Sequence, residues 1–147
     1  FLRETLWALT TTDTTAQQLW MRILNFVNQM RKSFKDPGFL TEGHFPDDFN
    51  LSSANALNVL MIVQEATNNA IKHSKGSTIR IQSDSGIQYW TITIQDNGEG
   101  FVNNSTIDIK EGNGLGNMRQ RADTSGFTLT ISGEAGKGSE VRLQIPL

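Results

Sequence analysis

The chain has 147 residues, 37% of them apolar, and a formal net charge of -2. That length suits one domain with one core, and the near-neutral balance excludes a basic field for gripping a nucleic-acid backbone or an anionic membrane. There is no cysteine, so a disulfide framework and a thiolate metal site are both excluded, which fits a reducing compartment.

No apolar run reaches the roughly 18–20 residues that span a bilayer. The first residue is Phe1 rather than Met and no signal peptide is visible, so the chain reads as a piece of a longer protein. Leu2, Leu6 and Leu9 stand at helical spacing. The Thr-rich run from Thr10 to Thr15 interrupts them, because Thr and Asp favour caps and turns. A second helix is expected from Asp13 or Thr14 to about Ser33, with Leu19, Ile23, Phe26, Val27 and Met30 on one side. Asp36-Pro37-Gly38 reads as a turn, Phe39 to Phe45 as a short strand, and Pro46-Asp47-Asp48 as a loop.

Ser52 is placed to cap a long helix that reaches His73 and ends at Lys75-Gly76. Val59, Ile62, Val63, Ala66 and Ala70 form its apolar side. The period then changes to two. Thr78 to Ile81 and Tyr89 to Ile94 alternate as strands, with Ser85-Gly86 between them as a hairpin turn. The stretch from Asp96 to Gly114 is poor in apolar residues and rich in glycine and asparagine, as functional connections often are. Leu115 to Thr124 reads as a helix, and Phe127 to Ser132 with Glu140 to Pro146 as a last strand pair. The order of elements suggests a two-layer α/β (α+β) sandwich with helices covering one face of a mixed, largely antiparallel sheet.

Four segments carry candidate chemistry. On the long helix, Glu65, Asn69 and Lys72 fall on one side at offsets of four and three. A carboxylate there can orient or deprotonate an attacking group. A neutral amide oxygen suits a Mg²⁺ ion that keeps its waters and shares phosphate oxygens, and an ammonium neutralises phosphate. The other reading of the same stripe is a solvated helix face. Asp96-Asn97-Gly98-Glu99-Gly100 follows a strand, so it reads either as a ligand-accepting carboxylate beside a sharp turn or as a plain hairpin turn. Gly112-Asn113-Gly114-Leu115-Gly116 opens a helix, where backbone amides approach anions. It is not the dinucleotide fingerprint, since Asn117 stands where the third glycine belongs. Gly136-Lys137-Gly138-Ser139 reads by itself as a glycine hairpin.

Taken together and in this order, the four segments resemble the ATP-binding domain shared by sensor histidine kinases, DNA gyrase and the mismatch-repair ATPases, the Bergerat-type fold. The resemblance covers residues 13–147, with 1–12 similar to the end of a dimerisation helix and its linker. Within that family, Gln64 to His73 and Gly114 to Arg121 look like the nitrate-sensor and lipid-desaturase-sensor kinases. The resemblance implies ATP and Mg²⁺ as cofactors. It implies Glu65 as general base or histidine-orienting carboxylate, Asn69 as metal holder and Lys72 as phosphate contact, with Asn68 also in the pattern. It implies that Asp96 accepts the adenine amino group beside Gly98 and Gly100. Gly112, Gly114, Leu115 and Gly116 would close over the phosphates, and Ser139 would support the adenine side.

The resemblance further implies a histidine kinase catalytic domain acting in two-component signalling, in the cytoplasm, on a full-length protein that can be membrane-attached. A phosphoacceptor histidine on a dimerisation helix is missing here: His44 precedes Pro46, and His73 closes the long helix. The expected partners are therefore the histidine-bearing dimerisation domain and, downstream, a response regulator, with no nucleic acid and no membrane contact. Phe1 to Leu9 is too short to rebuild a four-helix bundle, so a monomer or a weak contact is expected. A nucleotide-sensing module without transfer activity, an anti-sigma serine kinase and a gyrase-like ATPase remain alternatives on the same fold.

Overall fold

The computed structural model describes residues 13–35, 38–74, 78–98, 114–134 and 136–147. The segment of Leu2, Leu6 and Leu9, the turn at Asp36-Pro37, and Gly100 and Gly112 lie outside the described residues.

The first described element is a strand, not the start of a helix. β1 (Asp13–Thr15) pairs antiparallel with β3 (Asn50–Ser52), with Thr14 opposite Leu51 and both buried. Helix α1 (Ala16–Ser33) therefore begins later than its Asp and Thr run suggests. The reason is a reciprocal cap. The Thr15 hydroxyl accepts the Gln18 N–H at 3.1 Å, and the Gln18 side chain accepts the Thr15 N–H at 3.0 Å. The Ala16 N–H, otherwise an orphan of the first turn, donates to the Phe49 carbonyl. Replacing Thr15 with alanine should lower stability by about 1 kcal/mol, read from the urea midpoint at unchanged slope.

Leu19, Trp20, Ile23 and Val27 bury the inner side of α1. In its last turn, Arg31 donates to Asn28 Oδ1 and to the Phe39 carbonyl, fastening the helix end to strand β2 (Gly38–Gly43). That strand is shorter than the run to Phe45 expected from sequence. Helix α2 (Ser53–Ser74) starts where Ser52 takes the Asn55 N–H at 3.1 Å, as its sequence position requires. Ala56, Val59, Leu60, Ile62, Val63, Ala66, Thr67 and Ala70 are all buried along it. Thr67 avoids an unpaired hydroxyl by donating back to the Val63 carbonyl at 2.7 Å.

The main sheet has the order β2-β4-β5-β7-β6, with β4 (Thr78–Ser85), β5 (Tyr89–Asp96), β6 (Thr128–Glu134) and β7 (Gly138–Pro146). Only β2 and β4 are parallel, so α2 serves as the crossover between them. Helix α3 (Gly114–Ser125) precedes β6 and buries Met118 and Ala122.

Alternation settles the two faces. Ile79, Ile81, Trp90, Ile92, Ile94, Val141, Leu143 and Ile145 are buried against the helices. Arg80, Gln82 and Gln95 look outward, and Arg80 pairs there with Glu42 at 3.6 Å. The result is the expected sandwich, with helices on one face of a largely antiparallel sheet. Trp90 is fully buried, and its indole N–H donates to Ser83 Oγ, whose hydroxyl passes a bond on to the His44 carbonyl.

Candidate functional site

Two polar clusters lie at one end of this sandwich. Only three residues separate the end of α2 at Ser74 from the start of β4 at Thr78. Ile79 in turn pairs with Asp96 at the end of β5. The C-terminal half of α2 and the Asp96 end of the sheet are therefore neighbours.

The first cluster stands on α2. Glu65 and Asn69 are half-buried, while Asn68 and Lys72 are exposed. The first residue of α3 comes down onto this stripe. A Cβ added to Gly114 would stand 2.6 Å from Glu65 Oε1 and 3.2 Å from Asn69 Nδ2. Carboxylate and amide thus converge on one backbone position, and a side chain there would push the end of Glu65 aside. Leu115 packs against the core beside it, whereas Gly116 is exposed with open space around it. The half-buried setting of Glu65 and Asn69 and the approach of Gly114 favour the site reading of the stripe over that of a purely solvated face.

The second cluster surrounds Asp96. This carboxylate is only 4% exposed, on the helix-covered face where a strand would ordinarily place an apolar residue. One oxygen accepts the Gly98 N–H at 2.9 Å, and the other accepts the hydroxyl of Ser139, which sits directly opposite on β7. Both donors are neutral, and an ionised carboxylate has about four acceptor positions. Acceptor capacity therefore remains for a ligand N–H. The neighbouring Asn97 accepts the Thr78 N–H at 2.8 Å and ties the start of β4 to the end of β5.

Gly138 completes this cluster, beside the Ser139 that the resemblance implies. It holds φ +96, and a Cβ there would stand 2.8 Å from Asn97 Cα and closer still to the Asp96 carbonyl oxygen. The glycine immediately before the serine was the available signal. Past these strand ends runs an open hollow of about 380 Å³, lined by Gln95, Asp96, Ser132, Lys137, Ser139 and Glu140 among others.

Among the described residues, no three His, Cys, Asp or Glu side chains group to hold a metal by themselves. Glu65 and Asn69 instead offer a sparse pair of hard oxygen donors. That fits a Mg²⁺ ion sharing most of its shell with water and phosphate.

Comparison with known proteins bears on the family and the fold. Residues 54–147 match the model of the histidine kinase-, DNA gyrase B-, and HSP90-like ATPases. Sensor protein VraS of Staphylococcus saprophyticus is 33% identical over 104 residues, which are 71% of this chain and 29% of that protein. VraS of Staphylococcus aureus is 32% identical over the same length. The chain's match thus spans under a third of these relatives.

Among solved structures, the histidine kinase domain of the blue-light activated histidine kinase EL346 from Erythrobacter litoralis overlays with a TM-score of 0.74 at 17% identity, covering 88% of this chain and 61% of that one. The catalytic domain of histidine kinase ThkA overlays at 0.70 and 18% identity, covering 92% of this chain and 95% of its own. With a family match over most of the chain and a fold common to these kinases, the chain belongs to the histidine kinase-, DNA gyrase B-, and HSP90-like ATPase family.

Proposed function

We propose that this chain is the ATP-binding catalytic domain of a sensor histidine kinase of the nitrate-sensor and desaturase-sensor type. The observation that carries this reading is the convergence of Gly114 on Glu65 and Asn69, at the same end of the sheet as the buried Asp96–Ser139 pair. Asp96 receives the adenine amino group, and Gly98 turns the chain beside the ring. Gly114 and the amides that follow it face the phosphates, with Lys72 reaching them from α2. Asn69, helped by Glu65, holds Mg²⁺, which neutralises phosphate charge when bound.

The γ-phosphoryl group passes to a histidine nitrogen on a dimerisation domain of the full-length kinase. The bond from the γ-phosphorus to the β–γ bridging oxygen breaks, ADP leaves, and Glu65 orients the imidazole or takes its proton. Most of the rate comes from positioning and charge neutralisation. A response regulator is the later recipient, and residues 1–12 belong to the segment that leads from the dimerisation domain into this one. Among the described residues no helix is long and apolar enough to cross a membrane, and the reaction is assigned to the cytoplasm.

Titration of the chain with ATP in the presence and absence of Mg²⁺, followed by calorimetry, tests the binding half. Saturable binding strengthened by Mg²⁺ is expected, and no binding would end the proposal. Adding a purified histidine-bearing dimerisation segment with labelled ATP tests the transfer half. Acid-labile phosphate on that segment is expected. Tight binding with no transfer to any such segment would leave a nucleotide-sensing module in its place.

A further inference from the structure

The apposition of Gly114 with Glu65 and Asn69 depends on how far α3 slides along α2. The two helices run antiparallel: the start of α3 meets the C-terminal half of α2, and the end of α3 meets its N-terminal half. A polar crosspiece joins them at that second position. Arg121 Nη1 donates to Asn58 Oδ1 at 3.0 Å, and Asn58 Nδ2 donates to Ser125 Oγ at 2.7 Å. Arginine has donors only, so the Asn58 oxygen must face Arg121 and its NH₂ must face Ser125. The amide orientation is determined by its partners, and both of its ends are used.

The spacing matches along the seam. Asn58 and Glu65 are seven residues apart on α2, and Gly114 and Arg121 are seven apart on α3. At about 1.5 Å per residue, each pair of contacts is separated by about 10.5 Å on its own helix. Met118 and Ala122 supply apolar packing to α3. Apolar packing alone tolerates a slide better than directed bonds do, and the next ridge lies one turn, about 5.4 Å, away. Beside the crosspiece lies a polar cleft of about 330 Å³, lined by Asn58, Asn117, Gln120, Arg121 and Thr124.

We infer that Asn58, Arg121 and Ser125 are positioning residues, a clamp that sets the axial register of α3 on α2 and so holds Gly114 against Glu65 and Asn69. The inference rests on the proposed ATP site for its functional consequence, because the start of α3 faces the phosphates there. It then predicts a selective effect. Loosening the clamp weakens the grip on the phosphate chain and spares the adenine contacts of Asp96.

The test compares Asn58→Leu and Asn58→Asp in the full chain. In the leucine variant Mg²⁺–ATP affinity should fall about tenfold, the size of one charge-assisted hydrogen bond. AMP affinity, measured by competition, should stay within about twofold of the parent. In Asn58→Asp both Arg121 and Ser125 can donate to the carboxylate, so ATP affinity should remain at the parent level. An equal loss for ATP and AMP, or unchanged ATP affinity in the leucine variant, would overturn the inference.

Amide hydrogen exchange reads the same clamp without nucleotide. Asn58→Leu should speed exchange from Met118 to Ala122 and leave β5 and β7 unchanged, and uniform or absent change would reject it. If Asn58→Leu fails to fold, Ser125→Ala takes its place with the same expected ordering. A parent chain that binds no ATP would end the kinase reading, and the exchange result would still decide the clamp.

Discussion

Asp96→Ala should weaken ATP binding strongly, and Asp96→Asn should fold like the parent and still bind poorly. The expected loss for either is tenfold to about 150-fold, the range for removing a hydrogen bond to a charged acceptor. The alanine variant carries a second cost. Gly98 N–H and the Ser139 hydroxyl both lose their buried acceptor, which should lower stability by about 1–3 kcal/mol. Asparagine keeps an oxygen for the Gly98 N–H and presents its NH₂ to Ser139 Oγ, which can accept. It also turns a donor-deficient group into one that faces a purine amine with less acceptor capacity. Calorimetric titration beside urea unfolding separates the two effects. Parent-like ATP affinity in both variants would remove Asp96 from the base site.

The largest loss of stability is expected at Gly138. Gly138→Ala places a methyl group against the backbone of Asp96 and Asn97 and puts an L residue at φ +96. The backbone conformation alone costs about 1–3 kcal/mol. The overlap is with main chain rather than a flexible side chain, so β5 and β7 must part, and a total above about 3 kcal/mol is expected. Gly136 provides the control. It also has positive φ, at +80, but a Cβ there meets nothing within 4 Å. Gly136→Ala should therefore show the conformational cost alone, about 1–2 kcal/mol. Matching urea midpoints for the two variants would mean that the close approach at Gly138 relaxes freely. Because Asp96 lies across the contact, Gly138→Ala should lose ATP affinity along with stability.

These sites differ in how well sequence reveals them, and the difference follows the range of the interactions. Ser52 as a cap, the buried side of α2 and the β4–β5 hairpin rest on neighbours within a few residues, and all three were legible. The pairing of Asp96 with Ser139 was approached only through resemblance, since 43 residues separate the partners. The three-residue strand at Asp13–Thr15 was not legible. Its partner at Asn50–Ser52 lies far along the chain, and the local chemistry of Asp and Thr argues for a cap instead. Asn58 was invisible for the same reason, because its meaning comes from Arg121, 63 residues away. Glu65 and Asn69 illustrate the middle case. Their spacing allowed a wetted face or a site, and the closeness of Gly114 to both, which supports the site, comes from a residue 45–49 positions further along the chain.

The position of Trp90 has a consequence for measurement. It sits at one end of β5 and Asp96 at the other, six residues or about 20 Å along the same strand. Its indole is dry and hydrogen-bonded to Ser83. With Trp7 and Trp20 replaced by phenylalanine, tryptophan emission from this residue therefore monitors unfolding of the sheet and leaves ligand occupancy to a reporter placed elsewhere. Gln95, on the outward face one residue before Asp96, is a suitable attachment point for such a dye. The strand thus lets folding and ligation be followed at separate wavelengths in a single cuvette.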